Sequence, residues 1–181
     1  PEAEGKRPPL HPASVTASHY ALDSHAVRKR EAGRVHLDGF FSHPTAVYTV
    51  PYGVMVPRRI ENLLFPAAVS GSHVGFSTLR MEPCWMAMGQ AAGIASALSI
   101  DGKVKVQNID LSRLQDKLID QKATLMYFKD VDYTSPHFRM VQYLGLRGYL
   151  PEWTARLQEP VDMATLTAWK KLSGKDLPGI E

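Results

Sequence analysis

Strand-like patterns gathered in the first 66 residues, one long helix of small side chains, and three further helical stretches with apolar stripes predict an α+β fold. Strands come before residue 67 and helices follow, an order that separates α+β chains from those alternating strand and helix along a parallel sheet. The 181 residues leave room for one sizeable domain, or a domain with a small appendage.

Residues 1–17 are polar, Pro-rich and without period, opening Pro1-Glu2-Ala3-Glu4-Gly5-Lys6-Arg7-Pro8-Pro9, and are expected to be a flexible lead-in. Residues 18–59 are expected to be β-rich. Arg34-Val35-His36-Leu37 alternates, Gly39 breaks it, and 46–50 and 52–56 are strand candidates around Pro51. Pro44, Pro51 and Pro57 confine such strands to edges or bends.

Residues 60–125 carry a short apolar strand over 62–66, a small-residue loop, and a helix over 83–100 that Asp101-Gly102 ends. Pro83 suits a first helical turn, where a missing N–H costs nothing, and Glu82 suits the positive end of the helix dipole. A second helix is expected over 111–122, with Asp110 as N-cap and Leu111, Leu114, Leu118 and Ile119 as its apolar stripe. Residues 126–181 read as two short helices joined by a loop. Phe138, Val141 and Leu144 share one face of the first; Asp162 caps the second, whose stripe is Leu166 and Trp169.

The helix over 83–100 is unusual in composition. Ala87, Gln90, Ala91, Ile94, Ala95 and Leu98 make a small face, with Gly89 and Gly93 alongside. Glycine inside a helix costs about 1 kcal/mol relative to alanine, so its presence demands a packing reason. Two readings follow: a tightly packed core helix, or a surface that lets another backbone or a flat ligand come close.

The ordered series Tyr48-Thr49-Val50-Pro51-Tyr52-Gly53-Val54-Met55-Val56-Pro57, Glu61-Asn62-Leu63-Leu64, Ser70-Gly71-Ser72-His73, Arg80-Met81-Glu82-Pro83 and Gly89-Gln90-Ala91-Ala92-Gly93 resembles the C-terminal part of FAD-dependent oxidoreductases. The closer resemblance is to a bacterial group with a glutathione-reductase-like FAD domain, some of whose members carry a "xanthan lyase" label. Tyr20-Ala21-Leu22-Asp23-Ser24-His25 resembles a segment of the same group, and the likeness covers about residues 18–130. Beyond it, Phe128-Lys129-Asp130-Val131, a helix, Gly148-Tyr149, Pro160 and a second helix resemble a single S-layer-homology-like repeat, with His137-Phe138 replacing the usual aromatic–Ala step.

The resemblance implies that 18–59 end a substrate domain and that 60–125 return to the FAD domain. Ser70, Ser72, His73, Arg80, Met81 and Glu82 would then line the flavin, largely through backbone atoms. A helix amino end suits that place, since a reduced flavin gathers negative charge near N1 and the C2 carbonyl. Hydride transfer with an organic substrate also needs a proton donor or acceptor nearby, and His73 and His25 are the candidates. Arg80 would orient an anionic substrate or stabilise reduced flavin, or else form a salt bridge fixing its loop; Tyr52 would turn its hydroxyl to the cleft or remain a core aromatic. The 126–181 region would be a docking appendage or a cell-envelope anchor. A non-redox, lyase-like carbohydrate enzyme and a binding or assembly module are the rival functions.

The resemblance has one gap. Dinucleotide folds hold the pyrophosphate with strand–Gly-x-Gly-x-x-Gly–helix, and no such run occurs in these residues. The chain therefore reads as a C-terminal piece needing the N-terminal remainder of an FAD domain as partner, inactive by itself, with a small molecule or carbohydrate as substrate.

Composition narrows the field further. An apolar share of 44% and a charged share of 22% are ordinary for globular chains. The net charge of +3 is dispersed, with only Arg28-Lys29-Arg30 and Arg58-Arg59 as clusters, so no nucleic-acid partner is expected. No apolar run is long enough for a membrane span, and the sequence assigns no compartment. The single cysteine, Cys84, excludes an internal disulfide; it is either activated by the helix dipole or a buried structural thiol. The seven histidines show no helical i, i+4 pair with an acidic partner, so no metal site is expected, and Gly-x-Ser-x-Gly is missing around Asp23-Ser24-His25.

Overall fold

The computed structural model describes residues 10–26, 31–33 and 40–174. The strand expected over 34–37, the basic cluster 28–30 and the first nine residues lie outside the described residues. Two small antiparallel sheets and five α-helices make up the described part, in keeping with an α+β chain.

The first sheet pairs β1 (Ser14–Ser18) with β4 (Tyr48–Pro51), in the register Thr16↔Val50, Ala17↔Thr49 and Ser18↔Tyr48, with a bulge between Ser14 and Thr16. The loop expected up to residue 17 is thus corrected over 14–17: Ser14 and Thr16 are buried there, with Ser14 Oγ within donating distance of the carbonyls of Thr16 (3.1 Å) and Leu125 (2.9 Å). These bonds remove the cost of burying the hydroxyl. The second sheet pairs β2 (Leu22–His25) with β3 (Phe40–His43), Asp23 opposite Ser42 and His25 opposite Phe40.

After β4, a 3₁₀ turn spans Tyr52–Met55, where the sequence suggested a strand. Tyr52 and Met55 are buried on the same side, and the Tyr52 hydroxyl donates to the Val106 carbonyl at 2.9 Å. Tyr52 is therefore a core aromatic and does not turn its hydroxyl to a cleft. The strand expected over 62–66 is also corrected. Asn62 adopts a left-handed φ of 55°, and a lone ladder-like bond, Phe65 N–H to the Met55 carbonyl at 2.8 Å, is all this stretch makes with the 3₁₀ turn. An apolar run needs a neighbouring strand to become one.

The small-residue loop contains a helix, α1 (His73–Leu79), and only Arg80 and Met81 separate it from α2 (Glu82–Gly102). Helix α2 buries Cys84, Met88, Ala91, Ala92, Ala95 and Leu98 and stops at Lys103 in a left-handed cap. Helix α3 (Leu111–Asp120) starts as expected, the Asp110 carboxylate accepting from the N–H groups of Ser112 and Arg113, and it buries Leu114, Leu118 and Ile119. These side chains form one core with Val15, Val50 and Met88.

Helices α4 (Phe138–Leu146) and α5 (Met163–Ser173) are the expected terminal pair. Phe138 and Leu146 join the main core, and Arg139 pairs with Asp120 of α3, so α4 is docked rather than free. The Asp162 carboxylate caps α5 through Thr165 N–H at 2.7 Å, and the Trp169 indole donates to the Tyr149 carbonyl at 2.7 Å. Among the described residues, no helix is long and apolar enough to cross a membrane.

Candidate functional site

The candidate site lies where β2 meets α1 and the start of α2. Ser72 is the N-cap of α1, its hydroxyl accepting from Gly75 N–H at 3.0 Å. His73 follows, and its Nε2 lies 2.9 Å from the carbonyl oxygen of His25, at the end of β2. A carbonyl only accepts, so this nitrogen carries the hydrogen and Nδ1 keeps the lone pair. Arg80, closing α1, donates from Nη2 to Oδ2 of Asp23 at 2.8 Å, while Oδ1 of the same carboxylate sits 3.2 Å from His25 Nε2. His25, His73 and Arg80 are thus brought together across 48 or more residues of sequence. Of the two roles weighed for Arg80, the salt bridge fixing its loop is the one this geometry displays.

Asp23, weighed in the sequence only as part of Asp23-Ser24-His25, was given no role there. A signal existed: residues two apart on a strand share a face, and Asp23 and His25 stand at that spacing. Its backbone N–H donates to the buried Ser77 hydroxyl at 3.1 Å, tying β2 to α1.

Met81 caps α2 in an extended conformation without any side-chain hydrogen bond, and its carbonyl accepts from Cys84 and Trp85. Glu82 and Pro83 are exposed. The amino end of this 21-residue helix is therefore not plugged by a side-chain cap. One turn in, Trp85 Nε1 is buried without a hydrogen-bond partner, the single such side-chain atom among the described residues. Both features fit an additional acceptor group at this end of α2, such as a flavin would present. They fit it through backbone groups, since the Glu82 carboxylate itself favours no second negative charge.

Ser70 stands apart. Its N–H donates to the Val54 carbonyl at 2.7 Å, and it lines a hollow of about 640 Å³ with Tyr52, Phe65 and Arg58, which neither histidine of the site nor Arg80 lines. A second hollow of about 650 Å³ lies beside α2, lined by Thr16, Ala87, Gln90 and Tyr127.

Cys84 is the buried structural thiol. Burial pushes its pKa up, against a smaller lowering from a Ser18 hydrogen bond. Burial likewise raises Tyr48, whose hydroxyl bonds Thr78 at 2.7 Å. Glu61 is engaged by Lys105 at 2.7 Å. Among the described residues no three His, Cys, Asp or Glu side chains converge as for a metal ion.

Compared with known proteins, the chain matches the family model described as FAD dependent oxidoreductase over residues 6–118. No curated protein and no solved structure matches it.

Proposed function

Because the chain belongs to the FAD-dependent oxidoreductase family, we propose that it forms the flavin-facing part of an enzyme exchanging hydride with an organic substrate. The observation that carries this reading is the uncapped, exposed start of α2, two residues from Arg80, inside the matched span. Met81, Glu82 and the backbone there would hold the flavin, with Ser72 and His73 alongside; Ser70 contributes from the neighbouring hollow. FAD, when bound, supplies the acceptor or donor of two electrons.

The chain's own residues supply proton handling and orientation. His73, with its Nε2–H committed to the His25 carbonyl, offers Nδ1 to take a proton from a substrate hydroxyl or amine. His25 Nε2 stands 3.2 Å from the Asp23 carboxylate, which favours the hydrogen on that nitrogen and the lone pair on Nδ1. Arg80, held by Asp23, keeps a cation at the entrance to α2.

The pyrophosphate grip comes from the N-terminal remainder of a glutathione-reductase-like FAD domain, for which the chain carries no Gly-x-Gly-x-x-Gly. The outer side of α2 suits that partner: no charged residue occurs from Pro83 to Ile100, yet Met86, Gly93, Ala97 and Ile100 are exposed. An uncharged exposed helix face of this length is a covered face. In this division 1–17 lead in, 18–59 end the substrate domain, 60–125 complete the FAD domain, and 126–181 form an S-layer-homology-like appendage docked through Phe138.

The visible spectrum of the intact protein with added FAD tests the proposal. Uptake of flavin, and its bleaching by substrate, are expected; a colourless protein that takes up no FAD overturns it. A His73→Ala variant that keeps the full rate of flavin reduction removes that residue from the chemistry.

A further inference from the structure

Two of the site's candidate residues, His25 and Arg80, meet on one carboxylate, and each oxygen of Asp23 has its own partner: Oδ2 takes the Arg80 guanidinium at 2.8 Å, Oδ1 faces His25 Nε2 at 3.2 Å. Arg80 Nη2 also approaches the Asp23 backbone carbonyl at 3.4 Å. The carboxylate is itself fixed, because Asp23 N–H is anchored to Ser77 Oγ and the residue sits opposite Ser42 in the β2–β3 ladder. An ionised carboxylate has only acceptors to offer.

We propose that Asp23 is a positioning residue of this site: it holds the Arg80 guanidinium against β2 and fixes His25 as the Nε2–H tautomer, leaving Nδ1 as the basic nitrogen. The inference rests on the functional reading above only for what the site does, not for the arrangement. Two described aromatic groups adjoin the pair. Phe40 of β3 lies beside the His25 ring at 6.4 Å, and His73 of α1 engages the His25 carbonyl rather than its ring. Both side chains remain accessible, so the brace orients groups that a substrate can reach.

The test is nitrogen-15 NMR on the whole chain with Asp23→Asn, Asp23→Glu and Arg80→Gln. In the parent protein His25 should be almost wholly the Nε2–H tautomer, with slowly exchanging Arg80 guanidinium protons. Asp23→Asn should mix the His25 tautomers and speed Arg80 proton exchange about tenfold, the exchange ratio that a lost charge-assisted bond of about 1.4 kcal/mol gives. Asp23→Glu should restore part of both. Unchanged His25 and Arg80 signals in Asp23→Asn overturn the proposal. Should Asp23→Asn lose its Ser24–Phe41 cross-strand contacts, Arg80→Gln decides: a His25 tautomer kept as in the parent supports Asp23 as its determinant, and a mixed one overturns it. Altered NMR signatures with an unchanged rate of flavin reduction by substrate would count against the functional reading alone.

Discussion

The body of the molecule and the arm that carries its candidate chemistry are built on opposite terms. In the body, β1, β4, α2 and α3 bury Val15, Val50, Met88, Ala91, Leu114 and Leu118 almost completely. In the arm, all four residues of β3 are exposed, Phe40 at 71% and Phe41 at 52%, and β2 is held to α1 by polar bonds from Asp23, His25 and Tyr20. Burial gives the body a large, non-directional stabilisation, whereas single polar bonds contribute little each but fix direction. The arm therefore has geometry without much stability of its own, which suits groups that must meet a substrate.

That contrast can be broken most severely from the body. Gln142 of α4 is 0% exposed; its side-chain oxygen accepts from Leu125 and Met126 N–H, both at 2.9 Å, and its nitrogen donates to the Met126 carbonyl. Gln142→Leu should strand three buried groups at roughly 1–3 kcal/mol each, read as a lower urea midpoint for the whole chain. Leu114→Ala should cost about 2–5 kcal/mol in the same measurement. If either change loosened only the arm, the body would not be the cooperative unit described.

From the arm the effect is smaller and local. Ser72→Ala removes the α1 cap and should cost about 1 kcal/mol, seen as faster amide exchange in α1 and β2 with little change in the urea midpoint. Outside the neutral range a pH effect belongs to the body. Burial pushes the Tyr52 hydroxyl up to about 12 from 10.0, so the folded state holds this proton more tightly than the unfolded chain does. The sign follows: the contribution is whole below pH 10 and is lost as pH rises toward about 12. Tyr52→Phe should flatten that alkaline loss while giving up about 1 kcal/mol for the bond to Val106, measured by denaturation across the pH series.

The difference between the two regions also marks what the sequence made legible. Helices α2, α3, α4 and α5 could be read because their signals are local: Asp110 and Asp162 cap, and Leu114, Leu118 and Phe138 repeat at helical spacing. Strand β1 could not, because Ser14 is buried by a partner 111 residues away. The 3₁₀ turn at Tyr52–Met55 and the irregular stretch around Asn62 carry strand-like apolar runs, and what each run packs against decided its conformation. Within the site, the motifs led to His25, His73 and Arg80; the carboxylate joining two of them was legible only in its spacing to His25, since its pairing with Arg80, 57 residues on, has no local signature. Ser70 was grouped with residues whose cleft it does not share.

The open flank of β3 has a practical consequence. Among the described residues β3 pairs with β2 alone and bears two exposed phenylalanines, which makes it a template on which a strand from a neighbouring molecule can add. Self-association at high concentration should begin there, and a single lysine in place of Phe41 is the economical way to keep the protein dispersed.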